Sequence, residues 1–150
     1  MATQAASIHT EPAMLISRWK QAGNKLTALA EEIPADAYET NPAEDVRSIG
    51  DVLRHVAFWN VYVAAVARGQ EADESTNELP KSEYPTKAKI LEALRKSVTD
   101  SAVALKESAG KDDARIAELL VSFLEHTSEH YGQLAVYARL RGIVPPASRA

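Results

Sequence analysis

The chain has 150 residues and no cysteine. That length fits one domain able to bury roughly 70% of its unfolded surface, and the missing cysteines exclude disulfides, thiolate metal sites and a cysteine nucleophile. A net charge of −4 with 25% charged residues argues against a nucleic-acid groove, which needs clustered Lys and Arg; no apolar run approaches the ~20 residues of a membrane span.

Residues 1–9 read as a flexible polar tail with neither the basic nor the apolar part of a signal peptide, which predicts a cytoplasmic protein. A first helix is predicted from about Thr10, a capping residue, to Ile33. Leu15, Trp19, Ala22, Leu26, Leu29 and Ile33 recur by four and three and so share one face, and Pro34 ends the run. The second helix runs from Ser48 to about Arg68. Ser48 and Asp51 have capping-box spacing, Val52, Val56, Trp59, Val63 and Val66 form its stripe, and Gly69 follows as a C-terminal cap. The third starts near Thr86, after Pro85, and reaches about Ser108 on a stripe of Leu91, Leu94, Val98, Ala102 and Leu105. The fourth starts near Asp112 or Asp113 and reaches Arg141, with Ile116, Leu120, Phe123, Leu134 and Tyr137 on its face; Gly142, Pro145 and Pro146 terminate it.

No segment alternates with period two, so the expected class is all-α: a four-helix bundle over residues 10–146, followed by a short tail at 147–150. The connection from Gln70 to Pro85, between helices 2 and 3, is long for a helix–helix link. It is long enough to cross the bundle, so simple up-down-up-down order need not hold.

Three of the four histidines fall on core stripes. His126 and His130 are four apart between Phe123 and Leu134, so their rings share a helix face. His55 lies between Val52 and Trp59. A single histidine on an apolar face is ordinarily a core residue with satisfied nitrogens; three together, on two helices, point to one divalent ion. Zinc or nickel suits three imidazoles best, with iron or manganese also accepted, and a further coordination position can stay open. His9 stands in the polar tail. Two look-alikes fail. His126-Thr-Ser-Glu129-His130 has the H-x-x-E-H spacing of a protease family whose third ligand is a downstream carboxylate, and no acid follows His130. A di-metal carboxylate site needs Glu three residues before His, where Val52, Phe123 and Thr127 stand.

Ser48-Ile-Gly-Asp-Val-Leu-Arg-His55 with Trp59-Asn60, and His126-Thr-Ser-Glu-His130-Tyr-Gly-Gln133 continuing through Tyr137-Ala-Arg139-Leu-Arg-Gly142 to Pro145-Pro146, resemble the DinB/YfiT-like family of metalloenzymes from about Pro12 to Pro146. The resemblance implies a four-helix bundle, often a homodimer, with a three-histidine metal site whose ligand positions are His55, His126 and His130 here. It also implies a small-molecule substrate, and for some relatives a low-molecular-weight thiol such as bacillithiol or mycothiol. The family's "damage-inducible" name describes regulation and gives no evidence of DNA binding.

Other residues carry two readings. Gln133 either orients a ligand or makes a helix-face hydrogen bond. Asp51 is a partner of His55 or, better, part of the cap. Glu129 is turned roughly 100° from His130 and reads as solvated. Trp19, Tyr62 and Tyr137 read as core before pocket. Arg139 and Arg141 meet an anionic group or simply suit the helix C-terminus. The expected function is a metal-dependent hydrolase or thiol S-transferase. The alternative is a non-catalytic metal- or ligand-binding stress-response protein, its fourth metal ligand coming from Glu125, Gln133 or the long connection. A bundle without metal, its three histidines satisfied, is the third reading.

Overall fold

The computed structural model describes residues 12–149; Thr10, His9 and the 1–9 tail lie outside the described residues. Four helices appear: α1 (Pro12–Glu32), α2 (Ile49–Ala67), α3 (Lys87–Ser108) and α4 (Asp113–Leu140), with short 3-10 turns at Ala35–Ala37 and Pro146–Ser148. The class is all-α. No described helix is long and apolar enough to cross a membrane.

The helix ends follow local chemistry. Ser48 Oγ accepts from the Asp51 amide at 3.1 Å, Thr86 Oγ1 from Lys89, and an Asp112 carboxylate oxygen from Arg115, each taking up an orphan amide of a first turn. Gly69, Gly110 and Gly142, just past α2, α3 and α4, have φ of 72°, 84° and 75°, the left-handed geometry that lets the chain turn back on the last carbonyls. Ile33 falls one residue beyond α1, yet it is fully buried.

The helices run up, down, down and up. Trp19 meets Ser101 and Lys87 reaches the Ile33 carbonyl, so α1 and α3 are antiparallel. Arg54 reaches the Tyr84 carbonyl and Ser108 the Ala67 carbonyl, so α2 and α3 are parallel. Arg115 reaches the Val66 carbonyl while Ile49 and Tyr137 line one cavity, so α4 opposes α2. Parallel neighbours cannot be joined by a tight turn. The chain between Ala67 and Lys87 must return the length of the bundle, which is why that connection is long.

Two apolar clusters fill the interior. One gathers Leu26, Ile33, Tyr38, Val52, Val56, Leu94 and Leu134. The other gathers Trp19, Val63, Ala104, Leu105, Ile116 and Leu120. Between them lies a polar waist, where Trp19 Nε1 donates to Ser101 Oγ at 3.0 Å and Asn60 Nδ2 to Ser97 Oγ at 3.2 Å. Buried polar groups need such partners. On α4 the same interval, between Leu120 and Leu134, carries His126 and His130.

Candidate metal centre

α2 supplies a buried His55, and α4 supplies the half-buried His126 and His130. The antiparallel packing of α2 on α4 brings the three together. One nitrogen of each ring lies within 4.8 Å of the others, and His55 Nε2 stands 3.0 Å from His126 Nε2.

The remaining nitrogens decide whether these atoms can act as ligands. His55 Nδ1 lies 2.6 Å from the Asn77 carbonyl oxygen. A carbonyl only accepts, so Nδ1 carries the proton and Nε2 presents its lone pair. His130 Nδ1 lies 2.9 Å from Gln133 Oε1, and Gln133 Nε2 donates to the Tyr137 hydroxyl at 2.7 Å. One amide orientation satisfies both contacts and again leaves Nε2 free. Burial holds His55 down to about 4, against the Asn77 hydrogen bond that opposes it. Burial, with the charges of His130 and His55, holds His126 down to about 3. Both rings are therefore neutral near neutral pH, the form that binds metal.

These observations fit a divalent ion. Two imidazoles on one tetrahedral zinc, with Zn–N about 2.0–2.1 Å, stand with nitrogens about 3.3–3.4 Å apart. The His55–His126 pair is near that spacing already, and a nitrogen of the third ring lies within 4.8 Å of both.

An aromatic wall borders the cluster. Trp59 lies 6.3 Å from the His55 ring and 5.7 Å from Phe123, which is 5.9 Å from His126. The crossing chain is strapped over this wall. Asn77 Oδ1 accepts from Trp59 Nε1 at 3.0 Å, and Glu74 Oε1 accepts from Tyr62 at 2.7 Å.

Of the other residues singled out from the sequence, Gln133 both bonds along the helix face and orients His130. Asp51 belongs to the cap, and its carboxylate takes hydrogen bonds from Ser48 and Arg54. Glu129 is exposed, as are Arg139 and Arg141. Trp19 and Tyr137 are buried, whereas Tyr62 is half-buried in the aromatic wall. Glu125 is exposed and stands outside the grouped histidines. The sequence reading missed Asn77. Its contribution to His55 is a main-chain carbonyl, which no side-chain pattern announces.

The family comparison agrees with this arrangement. The model of the DinB superfamily matches residues 18–134, a span that contains all three histidines. The uncharacterized protein YjoA of Bacillus subtilis (strain 168) is 27% identical over 138 residues, covering 85% of this chain and 89% of its own length. A family match over most of the chain, on a helical fold with the three histidines grouped, makes this protein a member of the DinB superfamily.

Proposed function

We propose that the protein binds one divalent ion, zinc or nickel, on His55, His126 and His130, and uses it to activate a small nucleophile. The observation that carries this reading is the grouping of the three rings: one nitrogen of each lies within 4.8 Å of the others, and Asn77 and Gln133 take the Nδ1 protons of His55 and His130, which leaves each Nε2 lone pair for an ion. A divalent ion supplies Lewis acidity there, lowering the pKa of a coordinating thiol or water. Three neutral imidazoles leave the full charge of the ion in place. The wall of Trp59 and Phe123 shields one side from water.

The chain holds no cysteine, so a thiol nucleophile must come from outside. In thiol transfer the sulfur forms a bond to an electrophilic carbon, that carbon releases its leaving group, and the thiol proton passes to solvent. Hydrolysis is the same substitution with water as nucleophile.

The test uses untagged protein loaded with cobalt(II), whose visible spectrum responds to its ligands. About one ion per chain is expected, lost in His55→Ala. Addition of 2-mercaptoethanol should create a sulfur-to-cobalt charge-transfer band, with azide competing for the position. A spectrum unmoved by both means a closed site, and a structural or sensing role replaces catalysis. Azide binding without thiol binding leaves hydrolysis as the reaction. A homodimer belongs to the same proposal, and light scattering that returned 16.3 kDa, the mass of one chain, would refute it.

A further inference from the structure

The chain has six glycines, and all but one answer to the chain itself. Gly69, Gly110 and Gly142 hold positive φ. A Cβ at Gly23 would stand 2.8 Å from Val98, and one at Gly50 would stand 2.7 Å from Glu39. Gly132 is the exception. It lies inside α4, where glycine is a poor helix former beside alanine, yet a Cβ there would meet nothing within 4 Å. No contact among the described residues calls for it.

The face around Gly132 points away from the bundle. Val121, Glu125, Ser128, Val136 and Arg139 lie within about 40° of it around the helix axis, and all are exposed. Thr127, Leu134 and Tyr137 turn the other way and are buried. Val121 and Val136 are 56% and 55% exposed, unusual for large apolar side chains in this fold. Glu125 and Arg139 form no ion pair among the described residues.

The order of these charges is symmetric. Glu125 and Arg139 stand at equal distances on either side of Gly132, about 10 Å each along the axis. Two copies of α4 packed antiparallel across a twofold axis at Gly132 set Glu125 of each chain beside Arg139 of the other, and such an interface closes on itself. The missing Cβ on both sides lets the two backbones approach, since the side chains at a helix crossing fix the separation of the axes.

We propose that α4 carries a self-docking face centred on Gly132, and that its occupant is α4 of a second copy of this chain. The inference names the surface of the homodimer proposed above and rests on that part of the reading, not on the metal. Val121 and Val136 supply apolar contact, and the crossed charges fix the register more than they add affinity. His126 and His130 lie about 120° and 160° around the helix from Gly132, so docking on this face leaves both histidine clusters uncovered.

Sedimentation equilibrium of the untagged protein tests this. The native protein should pass from twice the 16.3 kDa chain mass to that mass on dilution. Glu125→Arg and Arg139→Glu should each weaken the dimer at least about tenfold, since like charges then meet at both crossings. An equimolar mixture of these two variants should regain a dimer within about threefold of the native one, because every crossing again pairs opposite charges. Gly132→Ala should weaken the dimer at least about threefold by crowding the crossing, while its monomer melts no lower than the native monomer, as alanine suits the helix and meets nothing in its own chain. A native protein that stays at 16.3 kDa at every concentration removes the homodimer and this face together. A native dimer left as tight by Gly132→Ala or by either reversal, or reversals whose mixture does not recover, keeps the homodimer and overturns this face.

Discussion

A ring nitrogen coordinates well only when its sister nitrogen has somewhere to put its proton. For His130 that place is Gln133 Oε1, and the amide is held in turn by the Tyr137 hydroxyl. Gln133→Leu keeps the volume but removes the acceptor, freeing the ring to rotate and to change tautomer. Partners of this kind are worth roughly 10–100-fold in metal affinity. That loss is expected in competition with a chromogenic chelator, with the helical circular dichroism unchanged, and an unaltered affinity would show that Gln133 serves only the helix face. Tyr137→Phe should cost less, because the amide keeps its bond to the histidine. The three histidines were legible in the sequence because their spacing set them on apolar stripes. The Asn77 carbonyl was not, since it depends on which distant chain segment arrives beside the ring.

One buried arginine ties two other segments to the start of α2. Arg54, 1% exposed, donates to Glu39 of the first link, to Asp51 one turn back and to the Tyr84 carbonyl of the crossing chain. Gly50 makes the room: a Cβ there would stand 2.7 Å from Glu39 Oε1 and 3.1 Å from Arg54 Nη2, which accounts physically for the glycine in the motif that ends at His55. Burial raises the Glu39 and Asp51 carboxyls, but the Arg54 hydrogen bonds outweigh it, helped by Lys81 at Glu39 and Ser48 at Asp51. Both pKa values end below the ordinary range. A depressed carboxylate stabilises the fold fully above its unfolded value and loses that contribution as pH falls through its folded one. In metal-free protein, melting temperature should therefore drop more steeply for the native chain than for Glu39→Gln as pH falls below about 4.5. Parallel curves would show the network to be neutral. The four helices could be read from periodicity and caps, because those are local. Helix direction could not, although the long second connection left room for the parallel α2 and α3 that the structure contains.

At the scale of the molecule, the two apolar clusters carry most of the fold, and the polar waist between them carries the site. Each cluster draws residues from all four helices, so the bundle needs no ion to hold it together. The histidines join only α2 to α4, and they draw in the crossing chain through Asn77. Metal removal should therefore leave a folded protein, unlike a small zinc finger, whose core is the metal. An ion held by the native state alone would add stability by mass action, about 4 kcal/mol at a thousandfold excess over Kd. For a chain of this size that corresponds to roughly 10 °C in melting temperature. Scanning calorimetry with and without a chelator should find the native protein raised by about this amount and His126→Ala unmoved by added metal. The hydrogen-exchange pattern should be uneven, with amides near Asn77 and around His130 gaining protection on metal addition and those of α1 and α3 gaining much less. Loss of all helical signal on chelation would mean that the clusters are too weak to fold alone. Equal melting temperatures in both states would mean that the three histidines hold no ion.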